Sequence, residues 1–323
     1  MAVYTELHEE KLLKFLKLYD IGDLILYNGI TEGIENSNFF IKTTHGKFIL
    51  TIFENRVNKN ELPFFLNVMT HLSKKNFLCP HPIKDLNNNY IQELYGKSSI
   101  IVNFLEGKSK SNISTDDCFN VGSYMGHMHN QSYDFPMQRK NSLSIDGWKE
   151  LVRKCSNSIP TSLLTDLGSD LIEDIKKTLY FCEKNWPSHL PKGFIHADMF
   201  PDNVFFQNKK ISGIIDFYFS CTDILAYDLA IAINAWCFNK NDVFNSQKYD
   251  SLLKGYNSQR KLNKDEIFFL PLLSQAASMR FLLTRLYDWV NTPEKADVIP
   301  KDPKEYIRKM KYFSNVVEKI NYN

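Results

Sequence analysis

The sequence predicts an α+β fold in two lobes, a β-rich N-lobe over residues 1–103 and a mainly helical C-lobe over residues 104–323. Strand-like runs crowd the first third of the chain, whereas beyond Leu105-Glu106-Gly107 the apolar residues recur at helical spacing. One β-rich island, Gly193 to Asp216, interrupts the helical part. The length agrees: 323 residues correspond to about two units at roughly 100–200 residues each.

Taken in order, the chain opens on an amphipathic helix with Leu12, Phe15, Leu16 and Tyr19 on one side. Asn38 to Thr44 and Lys47 to Phe53 flank His45-Gly46 and read as a hairpin. Glu61 to Lys75 reads as a helix with Leu62, Phe65, Leu66, Met69 and Leu72 on one side. Ile91–Leu94 and Ser99–Phe104 are short strands around Tyr95-Gly96-Lys97. Helices are expected at about 115–130, 146–156, 163–184, 223–238, 246–258, 265–290 and 303–320. Within the island, Phe194-Ile195 and Val204-Phe205-Phe206 flank a polar loop, and Ile211 to Ile215 runs into Asp216.

Composition removes several function classes. Lys plus Arg (39) nearly balances Asp plus Glu (37), and without a long basic run there is no argument for nucleic acid. The six cysteines form no C-x-x-C pair and read as reduced thiols rather than a disulfide framework. The N-terminus lacks the apolar stretch of a signal peptide, and no run reaches the ~18 apolar residues of a membrane span. A cytoplasmic protein with no membrane partner is expected; nothing in the sequence speaks to oligomeric state.

The chemistry concentrates in His196-Ala197-Asp198-Met199-Phe200-Pro201-Asp202-Asn203, followed by Ile214-Ile215-Asp216-Phe217. Reduced, this is H-x-D-x-x-x-x-N and then D-F. Phosphoryl transfer asks little covalent help of a protein. It needs a group to accept the hydroxyl proton and hard oxygen donors for the metal that neutralises the phosphates. Asp198 has the place of the base, and Asn203 and Asp216 have the places of the Mg2+ ligands. The pattern alone is weak, since an accidental match in such a chain has odds of about 4%. Its placement on strand, loop and strand strengthens it. The bland alternative is that Asp198 caps a turn, Asn203 satisfies loop carbonyls and Asp216 ends a strand. His196 is expected to hold the loop by hydrogen bonds rather than move protons. Asp202 is either solvated or a partner of the metal loop.

No G-x-G-x-x-G precedes the first long strand. Gly29 to Asn38 offers Gly33, Asn36, Ser37 and Asn38 as candidate donors to nucleotide phosphates, with a plain hairpin turn as the alternative. Asn103, at the end of the β-rich part, joins them as a candidate nucleotide-binding residue. His127 and His129 stand two apart, on nearly opposite faces of a helix, which argues against a metal site.

At these residues the chain resembles the aminoglycoside-phosphotransferase-like kinases, a branch of the protein-kinase-like fold. The resemblance extends nearly the whole length and narrows toward the homoserine kinases of bacterial threonine biosynthesis. Asn36-Ser37-Asn38, Asp216-Phe217-Tyr218 and the Arg280–Trp289 block carry the narrowing. It implies a bilobal kinase-like fold, ATP and Mg2+, and L-homoserine as acceptor. One departure stands out: Thr51 falls where such kinases carry a phosphate-binding lysine, which leaves Glu61 without its usual partner. Choline or an aminoglycoside as acceptor, or a nucleotide-binding scaffold without catalysis, stay open as alternatives.

An amino-acid acceptor needs a cation or amide donors for its carboxylate and an acid for its ammonium. Asp198 would meet the hydroxyl. Asp223 is the ammonium candidate, placed with Asp228 at the start of an apolar helix, and Asp228 is the one more readily explained as a helix-fold contact. Arg280 is the carboxylate candidate, with a structural salt bridge as its alternative. Arg285 is expected to pair with Asp288 or Trp289 instead. Tyr218 either lines the site or fills core.

Overall fold

The computed structural model describes residues 5–30, 36–54, 58–292 and 300–322. The first elements are α1 (Glu9–Leu16), β1 (Leu24–Ile30), β2 (Ser37–Thr43), β3 (Gly46–Ile52), α2 (Leu62–Lys74), β4 (Pro82–Ile83), β5 (Gln92–Leu94) and β6 (Lys97–Asn103). Then come α3 (Thr115–Gln131), α4 (Ile145–Ser158), α5 (Thr161–Leu167), α6 (Leu171–Lys184), β7 (Lys192–Ile195), β8 (Val204–Gln207) and β9 (Lys210–Ile214). The last are β10 (Cys221–Ile224), α7 (Leu225–Trp236), α8 (Ser246–Gln259), α9 (Lys264–Asn291) and α10 (Lys304–Val317). They form two compact units, Met1–Lys108 with Phe205–Tyr218, and Ser109–Val204 with Phe219–Asn323.

In the first unit an antiparallel sheet has the order β1-β2-β3-β6-β4, with β5 on β6. Alternation along β2 and β3 sends Phe39, Ile41, Leu50 and Ile52 into one core with Leu12, Phe15 and Leu16 of α1. Asn38 and Thr51 are paired across β2 and β3 in the intervening register. β1 departs from the expected loop: Gly29 and Ile30 pair with Phe39 and Asn38. It is an edge strand with no fully buried residue, so it lacks the apolar alternation that reveals a strand.

The boundary also differs from the contiguous division at residue 103, because the β8–β9 hairpin belongs with the first unit. Lys108 and Phe206 exchange backbone hydrogen bonds (3.1 and 2.9 Å), and Ile214 N–H donates to Leu78 O (3.0 Å). Gly213 lies so close to Leu105 that a Cβ would come within 2.6 Å of it.

In the second unit, α7 and α9 are the buried helices. α9 has the length and apolarity of a membrane span, but 67% of that window is buried inside the protein. The helix expected over 163–184 is broken at Gly168, whose φ of +119° ends α5. The residues expected to open a helix at 223 form β10 instead, antiparallel to β7, with Asp223 opposite Gly193 and Cys221 opposite Ile195.

α3 and α8 cross on glycines. A Cβ on Gly122 would come within 2.0 Å of Leu252 O, and one on Gly255 within 1.9 Å of Phe119 O. Gly122→Ala is therefore expected to cost about 1–3 kcal/mol through overpacking, read as a lower denaturation midpoint. Parent-like stability would mean that the two helices do not make this close crossing.

Candidate active site

The loop after β7 is defined almost atom by atom. Ala197 has φ +62°, a left-handed conformation that a non-glycine residue keeps only when its surroundings hold it. Two side chains do so. Asp228 Oδ2 accepts from His196 N–H (2.9 Å) and Oδ1 from Ala197 N–H (2.8 Å). Arg280 Nη1 donates to Ala197 O (2.6 Å). The residue preceding Asp198 is thus clamped at both its amide and its carbonyl.

The rest of the loop is paired in the same way. Asp198 N–H donates to His196 Nδ1 (3.2 Å), and Trp236 Nε1 donates to Met199 O (2.8 Å). Asn203 Nδ2 donates to Asp198 O (2.9 Å) and to Asp198 Oδ2 (3.0 Å). Both acceptors demand the amide nitrogen on that side, which leaves Asn203 Oδ1 uncommitted among the described residues. That oxygen is a hard donor of the type a magnesium ion takes. His196 is fully buried and serves the loop through its backbone and Nδ1. Asp202 is exposed and pairs with Lys301 (3.2 Å).

Asp228, the fold-contact alternative to an acceptor residue, is fully buried. Burial pushes its carboxyl up, but the His129 hydrogen bond and the nearby His129 and His196 outweigh that and hold it below the usual carboxylate range. His129 Nε2 lies 3.1 Å from Asp228 Oδ2, and its Nδ1 lies 2.7 Å from the Tyr256 hydroxyl. Sequence spacing excluded His129 as a metal ligand; it did not reveal this role, because the partner lies 99 positions away.

Asp223 is half-buried in β10; Asn141 Nδ2 donates to its Oδ2 (2.7 Å). Arg280 has no carboxylate at salt-bridge distance among the described residues. Its guanidinium instead lies over the Phe281 ring (4.4 Å) and faces Phe219 (5.9 Å). Asp223 and Arg280 share surroundings: both bear electrostatically on the Cys221 thiol and the Tyr227 phenol. Arg285 takes a partner other than the expected one, pairing with Glu305 at 2.6 Å.

In the first unit, Asp216 follows β9 with φ +64°. Tyr218 packs edge-on against Phe53 (5.1 Å) and Phe65 (5.7 Å). Burial and the Asp216 charge raise its phenol, and a hydrogen bond with Thr51 partly opposes them. Thr51, at the lysine's expected position, donates to Asn38 Oδ1 (2.8 Å). Ser37 is fully buried and donates to Glu54 Oε1 (2.7 Å) while accepting from Thr5 N–H (3.0 Å). Asn36 is buried and accepts from Glu54 N–H (3.4 Å). Asn103 Oδ1 accepts from His81 N–H. Gly33 lies outside the described residues.

The sequence matches the phosphotransferase enzyme family over residues 27–261. A homoserine kinase of Brucella canis is 46% identical over 325 aligned residues, covering 100% of this chain and 97% of the relative. Among solved structures, an amicoumacin kinase in complex with AMP-PNP, Ca2+ and Ami has TM-score 0.73 at 14% identity, covering 98% and 96% of the two chains. A spectinomycin phosphotransferase in complex with ADP and spectinomycin has TM-score 0.66 at 15% identity, covering 99% and 97%. At such identities the structures establish the bilobal kinase-like fold, and the full-length relative narrows the family. The chain belongs to the phosphotransferase enzyme family, in the branch that holds the homoserine kinases.

Proposed function

We propose that this chain is a homoserine kinase that transfers the γ-phosphoryl group of ATP to the side-chain hydroxyl of L-homoserine, giving O-phospho-L-homoserine for threonine biosynthesis. The observation that carries this is the 46% identity to a homoserine kinase along the whole chain, with Asp198, Asn203 and Asp216 all present.

Asp198 takes the acceptor's hydroxyl proton as the oxygen attacks the γ-phosphorus and the bond to the ADP oxygen breaks. The Asn203 bond to Oδ2 orients that carboxylate, and the clamp on Ala197 fixes its approach. Asn203, through Oδ1, and Asp216 are the proposed Mg2+ ligands. Both offer hard oxygens, and no cluster of three or more His, Cys, Asp or Glu occurs among the described residues. Two protein donors suit an ion that keeps waters and substrate phosphates in its shell. When bound, the ion supplies neutralisation of the β- and γ-phosphate charge.

Asn38, beside Thr51, is the proposed side-chain contact for the nucleotide phosphates. Asn36, Ser37 and Asn103 are the further candidates toward the nucleotide; the Ser37 hydroxyl is taken up by Thr5 and Glu54, and the side-chain oxygens of Asn36 and Asn103 accept from Glu54 and His81. In the acceptor site Arg280 receives the carboxylate, Asp223 the ammonium, and Tyr218 supplies a wall.

Coupled ADP release with MgATP against L-homoserine, choline, L-serine and kanamycin tests the reading. Release is expected with L-homoserine; release with another acceptor only would discard the substrate. Asp216→Ala is expected to weaken MgATP binding at least tenfold by calorimetry while leaving the Tm within a few degrees. An unchanged Mg2+ dependence of nucleotide binding would remove Asp216 from the metal.

A further inference from the structure

Buried polar groups without partners are uncommon, because each forfeits its hydration and gains nothing in return. Among the described residues, two of them lie on neighbouring helices beside the catalytic loop: Nε of Arg280 on α9 and the phenol of Tyr306 on α10. Arg280 is 2% exposed and Tyr306 0%. Arg280 commits one N–H to Ala197 and has no acidic counterpart at salt-bridge distance among the described residues. A buried guanidinium left this way is costly unless an anion arrives.

The surroundings tie both groups to Asp198. The Phe281 ring lies 4.4 Å from the Arg280 guanidinium and 5.3 Å from the Tyr306 ring. It also packs at 4.8 Å on Phe200, two residues beyond Asp198. The charges of Asp198 and Arg280 both bear on the Tyr306 phenol. The Tyr306 ring is held in place by the Arg285 guanidinium at 4.4 Å and the Lys309 ammonium at 4.8 Å. Those two cations are themselves ion-paired to Glu305. A ring locked by its neighbours presents its hydroxyl at little entropic cost to binding.

We propose that Tyr306 determines acceptor specificity: its O–H and the Nε–H of Arg280 together take the carboxylate of an amino-acid acceptor whose hydroxyl is held at Asp198. The chemistry fits an anion. Both unpaired groups are hydrogen-bond donors here, a carboxylate offers them two acceptor oxygens, and an ammonium could satisfy neither the guanidinium N–H nor its charge. An amino alcohol without the carboxylate would leave both donors unpaired, and sites of that kind reject such analogues strongly. The proposal rests on Asp198 marking the acceptor end of the site.

The test is Tyr306→Phe, alone and in an Asp198→Asn background. The single variant is expected to raise KM for L-homoserine roughly 10–100-fold, the loss of one hydrogen bond to a charged group, with KM for MgATP moving less than twofold. Its Tm without ligands should equal or exceed the parent's, since an unpaired buried hydroxyl is removed. Calorimetry should show L-homoserine binding to Asp198→Asn with near-parent affinity, and to the double variant more weakly by the same factor as the KM change. Equal affinity with and without the hydroxyl, or a matching rise in both KM values, would overturn the assignment and leave the phenol to a buried water. Turnover surviving in Asp198→Asn would instead sink the base, while the binding comparison still decides Tyr306.

Discussion

Asp198→Asn is expected to lower turnover with L-homoserine by about 10²–10⁴-fold, the range over which a positioned general base contributes, while MgATP binds as in the parent. An asparagine carbonyl can still accept from Asn203 Nδ2, which now bonds Asp198 Oδ2 at 3.0 Å. The backbone bonds of the loop to Asp228, Arg280 and Trp236 do not involve the Asp198 side chain. Loop geometry should therefore survive and the proton acceptor alone be lost. Single-turnover rates with saturating MgATP measure this directly. Turnover within tenfold of the parent would mean that another group takes the proton.

Asp228→Ala carries the largest expected cost in stability. Its carboxylate is fully buried and accepts from the amides of His196 and Ala197 and from His129. Truncation orphans all three donors and frees a residue held at φ +62°, so a loss of about 3–5 kcal/mol is expected, together with turnover. Denaturant midpoints and slopes provide the measure; a loss under about 1 kcal/mol would show that the loop is held elsewhere.

The same group sets an acid limit. Its pKa is lower folded than unfolded, since the donors around it outweigh the burial that would raise it. Its contribution is thus fully present above the unfolded value of about 3.9 and is lost as pH falls through the folded value. Asp228→Asn should be less stable at neutral pH, and the gap to the parent should narrow below about pH 4. A gap constant down to pH 2 would contradict the linkage.

Much of this was legible in the residues. Alternation along β2 and β3 and the helical spacing of Leu12, Phe15 and Leu16 marked the first unit, because burying one face of a strand or helix imposes a period on the chain. The His196-to-Asn203 motif marked the loop, since the proposed base and metal donors must stand at set places on it. What escaped lacked such a period. β1 buries little and shows no alternation. Gly168 breaks a helical stretch through backbone angle rather than polarity. The β8–β9 hairpin sits within the helical part of the sequence, yet Leu78, Leu105 and Lys108 draw it into the first unit.

By itself, the order of residues determined the class of fold, the loop that carries Asp198 and Asn203, and the aspartate that follows β9. Each is a local matter of spacing and residue type. Only the tertiary structure decided that Asp228 and Arg280 grip Ala197 from 31 and 83 positions away. It alone decided that Asn203 turns its nitrogen to Asp198, and that among the described residues Arg280 is buried without a carboxylate at salt-bridge distance and the Tyr306 hydroxyl without a hydrogen-bond partner. Such facts follow from which helices meet, and the free energy of a buried polar group depends on the atoms that packing places around it, however distant in sequence.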